Sequence, residues 1–235
     1  MIQSWLQTMK EGEFMTRISA AATKNALAVT ADSMFTNTIT NEKTINNQKI
    51  YYGNNMIVGL LGSIEFITSQ GIISLSIPVQ KCLDDGSQSG IELINEIEKS
   101  IIETYKQYSY NIPTSLIFFW RENNTFYMFC SEIRYVNRHF GAAEIKVYYP
   151  FGNIHRNNMD LFDFSNRCVQ AGEGLITNPQ IDWISKNSNV LDISFRYTKE
   201  AVLSPLITTV GGPVHSIVLD EKGFHTKIEG QLHGF

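Results

Sequence analysis

The chain has 235 residues, of which 43% are hydrophobic and 18% are charged, values typical of a globular protein with enough apolar residues for a sizeable core. Its formal net charge of -4 comes from 19 basic and 23 acidic residues without a basic run, which argues against nucleic acid and anionic membranes as partners. No stretch approaches the roughly 20 apolar residues needed to cross a bilayer, and the first residues lack the apolar core of a signal peptide. We therefore expect a cytoplasmic protein.

Cysteine and histidine do not form a recognisable metal-binding pattern. The 3 cysteines are widely spaced, and none of the 5 histidines stands at ligand spacing from another histidine or from a glutamate. Structural and catalytic metal sites require such spacing. We predict reduced cysteines, no metal site and no cofactor.

The first part of the chain is predicted to be β-structure. Small and β-branched residues form short segments separated by turn residues, a pattern that predicts strands. The predicted strands are 16–23, 27–31, 50–52 and 56–61.

Helical periodicity begins after Gly62. We predict a helix over 63–73 with Ser63 as its N-cap, and a second helix over 90–105 whose apolar residues recur on one face. Strands over 115–120 and 125–130 then form a hairpin.

The last part of the chain mixes strands and helices. A strand is predicted over 145–149, a helix after Pro179, and another helix over about 192–206. The chain closes with a hairpin of strands over 214–219 and 224–228. Strands, helices, strands, helices and strands in this order predict an α+β fold, a four-layer αββα sandwich of two stacked antiparallel sheets flanked by helices.

Thr16 directly follows Met15, so removal of an initiator at Met15 would leave an N-terminal threonine. Such a residue carries its own base, because an α-amine with a pKa of about 7.7 to 8.0 can take the hydroxyl proton. Four features follow in order: Asp32-Ser33 at the end of a strand, Lys49, the segment Gly59-Leu-Leu-Gly62, and a late Gly-Gly at 211–212.

These features resemble the N-terminal threonine peptidases of the proteasome β-subunit type, including their bacterial relatives, which belong to the N-terminal nucleophile (Ntn) hydrolases. The resemblance implies that Thr16 is the nucleophile and that Lys49 holds down the pKa of its amine. It also implies that Asp32 keeps Lys49 charged and oriented, as the third group of a nucleophile site does.

The interval from Asp32 to Lys49 is longer than the usual family pattern by a single residue. Without an insertion, Gln48 would take the lysine position, and a strand slipped in this way presents the opposite face. We place the extra residue in the polar loop 37–47, where insertions are tolerated, and therefore keep Lys49.

The remaining site residues depart in part from the family. Backbone amides around Gly62 are expected to form the oxyanion hole, since donors aimed at a developing negative charge stabilise it strongly. A serine in a Gly-Ser-Gly loop is replaced here by Glu173, which we expect to accept from the threonine amine. Thr208 supplies a hydroxyl ahead of the late Gly-Gly, where family members have an Asp and a Ser.

Residues 1–14 are interpreted as a propeptide-like or misassigned extension ahead of a single domain over 15–235. The codons for Lys10-Glu11-Gly12-Glu13 are almost entirely purine, as in a ribosome-binding sequence just upstream of Met15. If these residues stay attached, Thr16 has no free amine.

Three functions remain open at this stage. The first is a threonine peptidase or amidase that cleaves peptide bonds in a peptide or protein substrate, within a homo-oligomeric ring and with an ATPase partner that the sequence does not identify. The second is a catalytically inactive scaffold subunit of the same fold, and the third is a small-molecule amidohydrolase of the Ntn group. Aromatic stretches at 118–120, 148–149 and 162–164 supply more apolar surface than one core needs, which favours oligomerisation.

Overall fold

The structure is a computed structural model, and it describes residues 16–36, 42–45, 47–62, 64–68, 71–108, 113–136, 144–148, 162–172, 180–204 and 210–228. In chain order its elements are β1 (Arg17–Ala22), β2 (Leu27–Ala31), β3 (Phe35–Thr36), β4 (Lys43–Thr44), β5 (Ile50–Gly53), β6 (Met56–Gly62), β7 (Glu65–Thr68), β8 (Gly71–Ser74), α1 (Ser76–Asp85), α2 (Gly90–Tyr108), β9 (Thr114–Glu122), β10 (Thr125–Val136), β11 (Glu144–Tyr148), β12 (Phe162–Asp163), β13 (Arg167–Gly172), β14 (Gln180–Trp183), α3 (Val190–Leu203), β15 (His215–Asp220) and β16 (Gly223–Ile228).

Two six-stranded antiparallel sheets contain most of the strands. The first sheet has the order β14-β13-β1-β2-β15-β16, so that the early and late parts of the chain pair in its centre. The second has the order β11-β10-β9-β6-β5, with β12 paired to β10. Two further hairpins, β3-β4 and β7-β8, are two-stranded. The fold is therefore α+β with two antiparallel sheets, as the sequence predicts at this level.

A hydrophobic core joins the two sheets. It contains residues such as Ile18 and Val29 from the first sheet and Ile57 and Phe119 from the second, all fully buried. Side chains alternate along each strand, so that every second residue of β1 and β2 belongs to this core. This shared core aligns the ends of the two sheets.

The close approach of the sheets depends on Gly59. A Cβ atom on Gly59 would lie 2.4 Å from Ile18 Cδ1 and 2.8 Å from Ile117 Cγ2. The absent side chain therefore lets Ile18 of β1 reach the main chain of β6. Ile18 is near the start of β1 and Gly59 is the central residue of β6, so this contact places the start of β1 against the middle of β6.

Helices cover the other face of each sheet. The predicted helix over 90–105 is confirmed as α2, and its buried residues join α1 and the second sheet in a separate core. Helix α3 contacts β1 and β2 of the first sheet. Its N-cap is Asn189, whose side chain accepts from the amides of Leu191 and Asp192, as capping asparagines do.

Hydroxyl groups form part of the contact between α3 and the first sheet. Thr30 Oγ1 lies 2.8 Å from Ser194 O and 2.8 Å from Thr198 Oγ1, and all three residues are fully buried. Buried polar groups are stable only when they are hydrogen-bonded to one another in this way. The network therefore fixes the position of α3 on β2.

Two of the predicted helices are wrong. The segment 63–73 contains the hairpin β7-β8, and α1 begins only at Ser76. Gly71 has φ of 121°, which no helix permits, and the β-branched residues of this segment favour strands. The residues after Pro179 form β14, which pairs with β13 and places Ile181 against the core between the sheets.

The structure places the aromatic stretch 118–120 in the core and not at an interface. Phe118 and Phe119 are fully buried and Trp120 is 2% exposed, so all three are core residues of β9. Phe164 is buried as well. Tyr149 lies outside the described residues. Phe118, Phe119, Trp120 and Phe164 are therefore core residues and not interface residues.

We predict that Gly59→Ala destabilises the fold by about 1 to 3 kcal/mol, because the new methyl group overlaps Ile18 and Ile117. The double variant Ile18→Val/Gly59→Ala removes the Cδ1 atom that is closest to the methyl group. Its loss of unfolding free energy should be smaller than the sum of the losses in the two single variants. Urea unfolding measures this coupling in a double-mutant cycle. Purely additive effects would contradict the contact.

Candidate active site

A buried ion pair lies at one end of the two sheets. Lys49 Nζ is 2.9 Å from Asp32 Oδ2, and the two side chains are 1% and 0% exposed. Removing both charges from water is costly, and such a pair is tolerated only when further hydrogen bonds satisfy its polar atoms. The carboxylate of Asp32 meets this requirement.

Asp32 accepts hydrogen bonds from backbone amides in three parts of the chain. Its Oδ1 accepts from Arg17 N–H at 2.8 Å, and its Oδ2 accepts from the amides of Met34 and Gly211, both at 3.3 Å. Together with Lys49, four donors of the described residues thus converge on one carboxylate. Asp32 therefore joins the start of β1, the end of β2 and the segment before β15.

Thr16 precedes the residue that Asp32 holds. It is 6% exposed, and the pairing of β1 with β2 extends to Arg17, the residue after it, since Asp32 N–H donates to Arg17 O at 3.2 Å. Alternation along an extended chain puts Thr16 on the same side of β1 as Ile18, toward the core between the sheets. The position of Thr16 is thus fixed by backbone pairing on its C-terminal side.

Lys49 approaches the same point from the second sheet. It directly precedes β5, its carbonyl accepts from Leu60 N–H at 2.9 Å, and its Nζ lies 5.4 Å from the centroid of the Phe35 ring. Gln48 instead donates through Nε2 to Ile50 O. Of the two residues considered for this position, the structure pairs Lys49 with Asp32.

Gly62 ends β6 at the same end of the second sheet. It pairs with Thr114 and has φ of 86°, a conformation that favours glycine. Leu60 contacts Lys49 through the backbone, so Gly62 lies slightly beyond that contact along β6. Its part in an oxyanion hole therefore stays a prediction.

The late Gly-Gly segment packs against Asp32-Ser33. Ser33 N–H donates to Gly211 O at 3.1 Å, and a Cβ on Gly212 would lie 2.6 Å from Ser33 Oγ. Gly212 also has φ of 76°. Glycine is required at 212 for both reasons, which explains why this segment can supply an amide to Asp32.

Glu173 and Thr208 lie outside the described residues. The nearest described neighbour of Glu173 is Gly172, which pairs with Arg17. Strand β13 thus ends beside the start of β1. The structure joins Asp32 to Lys49 and to Arg17, the residue after Thr16, while the parts assigned to Gly62 and Glu173 stay predictions.

Two basic residues near Asp32 were not predicted from the sequence. His215 is half-buried, and burial lowers its pKa, while the charge of Asp32 raises it and that of Lys49 lowers it. Burial lowers the pKa of Arg17 to about 10, and Glu200 and Asp32 oppose that shift. His215 is far from Asp32 in sequence, and only the pairing of β15 with β2 brings them close.

Comparison of the chain with family models and with curated protein sequences gives no match. Within the described ranges, no three His, Cys, Asp or Glu side chains come together as a metal site. None of the helices described is long and apolar enough to cross a bilayer. The geometry around Asp32 is therefore the main observation that bears on function.

We predict that Lys49→Met destabilises the fold by about 3 to 5 kcal/mol, because it leaves the buried Asp32 carboxylate without its cation. The double variant Asp32→Asn/Lys49→Met removes both charges and should recover part of this loss. Urea unfolding at pH 7 measures the free energy of unfolding of the single and the double variant.

The pair of Arg134 with Glu132, at 2.6 Å, provides the matched control, since the Arg134 side chain is 46% exposed. Arg134→Met should cost less than Lys49→Met, because only one member of this pair, Glu132 at 11% exposed, is removed from water. Equal losses of unfolding free energy in Lys49→Met and Arg134→Met would show that burial does not strengthen the Asp32-Lys49 pair.

Proposed function

We propose that this protein is an Ntn hydrolase of the proteasome type that cleaves peptide (amide) bonds with Thr16 as its nucleophile. The observation that carries the proposal is the buried Asp32-Lys49 pair, whose carboxylate also holds the amide of Arg17, directly after Thr16. This arrangement supports a fixed cation beside an N-terminal threonine, as such a nucleophile requires.

The fold is consistent with this proposal. Helix α3 packs on the first sheet, the two sheets share a core, and α1 and α2 pack on the second sheet. These contacts support an αββα sandwich of four layers, in which Asp32, which holds the start of β1, meets Lys49, whose backbone pairs with Leu60 of β6. The four-layer assignment as an Ntn fold belongs to the proposal.

The chemistry requires cleavage of the bond between Met15 and Thr16. The free amine of Thr16 then takes the proton of its own hydroxyl while Oγ1 attacks the substrate carbonyl carbon. The proton passes to the leaving amine, and the acyl group remains on Oγ1 as an ester. A water molecule, deprotonated by the same amine, hydrolyses the ester and regenerates Thr16.

Lys49 and Gly62 have separate parts in this reaction. Lys49, held by Asp32, keeps a positive charge close to the amine and so favours its neutral, basic form. The amide of Gly62 is the proposed donor to the oxyanion of the tetrahedral intermediate. Glu173 is proposed as an acceptor for the amine, next to Gly172 at the end of β13.

The cysteine residues are poor alternatives as nucleophiles. Cys82, Cys130 and Cys168 are all buried, and burial raises the pKa of each thiol. A raised pKa keeps a thiol protonated and unreactive. This favours a hydroxyl nucleophile over a thiol.

One observation favours a catalytically inactive scaffold as the second candidate. Val210, 4% exposed, stands directly before Gly211, where the resemblance leads one to expect a serine that supports the threonine amine. A buried valine cannot supply that hydrogen bond. The Asp32-Lys49 pair would then serve only to hold the strands.

We predict that the active form begins at Thr16 and that Thr16→Ala lowers hydrolysis of a fluorogenic peptide amide by about a thousandfold or more, since alanine keeps the α-amine but has no hydroxyl to attack the substrate. Intact mass of material from the native host identifies the first residue. An electrophile specific for N-terminal threonine should label Thr16.

Thr23→Ala is the matched control, because Thr23 is also 6% exposed and stands at the opposite end of β1. It should retain hydrolysis and labelling. A host protein that begins elsewhere, or a Thr16→Ala variant with full activity, would overturn the proposal. A chain that begins at Thr16 and is neither labelled nor active would favour the scaffold function.

We further predict a closed homo-oligomeric ring, because an enclosed chamber keeps a peptidase away from other proteins, and head-to-tail contacts that close form rings. Exposed large apolar side chains, namely Ile72, Ile77, Trp183 and Leu203, each 68% to 71% exposed, support association. Light scattering of the form beginning at Thr16 tests this. A mass that stays near 26.7 kDa at all concentrations would exclude a ring.

A further inference from the structure

His215 lies on the inner face of the first sheet, one strand away from Asp32. It opens β15 and pairs with Ala31, the residue before Asp32. Ile217 and Leu219, which alternate with it along β15, both belong to the core between the sheets. The imidazole therefore faces the space between the sheets, at the end where Asp32 and Lys49 meet.

The imidazole is close enough to the buried pair for both charges to act on it. The carboxylate of Asp32, after β2, favours its protonated form, and the ammonium of Lys49, before β5, opposes it. Within the described part of the chain, no hydrogen bond joins the His215 side chain to another group. Its protonation state therefore depends on these charges and on burial.

Among the described residues, the other elements that pack against β15 add no charge close to His215 on this face. Strand β5 contributes the uncharged phenol of Tyr52 to the core between the sheets. On β16, Ile228 pairs with His215, whereas Lys227 pairs with Ser216 and is thus on the opposite face. Helix α3, with Lys199 and Glu200, also packs on that opposite face.

We propose that His215 is a positioning residue of the Thr16 site, which in its neutral form leaves Lys49 as the principal cation on the Asp32 carboxylate. The proposal rests on the hydrolase function proposed above. Protonation adds a second cation beside a single buried carboxylate, and like charges in a partly buried site repel one another strongly. The ammonium of Lys49 then moves from the position in which it acts on the amine of Thr16.

Acidification is the condition under which this occurs. The pKa of His215 is below its usual value, so the residue is neutral at pH 7 and becomes charged only on further acidification. A histidine whose pKa is lower in the folded state than in the unfolded state contributes to the free energy of unfolding in its neutral form. This contribution is fully present above the unfolded pKa of about 6.5 and is lost as the pH falls below it. Activity and stability should therefore both decrease on the acid side through His215.

The coupling is tested first by an NMR titration of the histidine ring protons in the full chain, with the His215 signal assigned by its absence from His215→Gln. We expect a midpoint below about 6.5 in the wild type, moved lower still by Asp32→Asn, because the carboxylate favours the imidazolium. A His215 midpoint that Asp32→Asn leaves unchanged would overturn the proposal.

Thermal unfolding provides a second measurement in case Asp32→Asn does not fold. Between pH 7.5 and pH 5.5, the wild type should lose more of its Tm than His215→Gln does. The matched control His225→Gln changes a histidine that is 45% exposed and away from the site, so the Tm contribution of His215 should remain in it. Equal Tm losses in wild type and His215→Gln would also overturn the coupling.

The positioning role is tested by hydrolysis of the peptide amide across pH, in the form that begins at Thr16. Relative to its own rate at pH 7.5, His215→Gln should retain about fivefold more activity at pH 5.5 than the wild type, whereas His225→Gln should follow the wild type. An acid limb identical in wild type and His215→Gln would overturn the role. If the wild type hydrolyses the peptide amide at no pH, the proposed function and the positioning role are both overturned. The NMR titration would still test the charge coupling between His215 and Asp32.

Discussion

The carboxylate of Asp32 is the constraint on which the arrangement of the site depends. It is completely buried, and it accepts from the ammonium of Lys49 and from three backbone amides. A carboxylate without these donors would carry a large desolvation cost in this position. The strands that provide the donors are therefore held at fixed distances from one another, whatever chemistry the site performs.

The two sheets meet at this point because glycine permits it. Gly59 allows Ile18 to contact β6, and Gly211-Gly212 allow the segment before β15 to lie against Asp32-Ser33. Packing between the sheets and hydrogen bonding to Asp32 thus act on the same few residues. Loss of the packing between the sheets or of the hydrogen bonds to Asp32 would displace the start of β1, since β1 takes part in both interactions.

A buried ion pair of this kind is not required for stability alone. Apolar residues of similar volume often fill such a position with equal or greater stability. The presence of Asp32 and Lys49 beside the residue after Thr16 is therefore the reason why we propose the hydrolase ahead of the scaffold. The half-buried His215 adds a titratable group to the same charges, so that the electrostatics of the site depend on pH on the acid side of neutrality.

Local pattern alone was sufficient for the elements with strong periodicity. The strand over 27–31 is confirmed with its predicted bounds, and the helix over 90–105 is confirmed with a slightly later end, because apolar residues spaced for burial leave few alternatives. The segment 63–73 and the residues after Pro179 were assigned wrongly as helices. In both, β-branched residues found strand partners, Glu65–Thr68 with Gly71–Ser74 and Gln180–Trp183 with β13, that a single segment does not reveal.

The sequence by itself determined which residues could form a site, since the order of Thr16, Asp32, Lys49 and Gly62 is a property of the chain. The tertiary structure decided that Lys49, not Gln48, reaches Asp32, because the path of the chain between β4 and β5 sets which residue faces the carboxylate. It also decided that Gly211 and His215 belong to the same region, through the pairing of β15 with β2. Such contacts join residues far apart in sequence, and burial rather than local propensity gives them their strength.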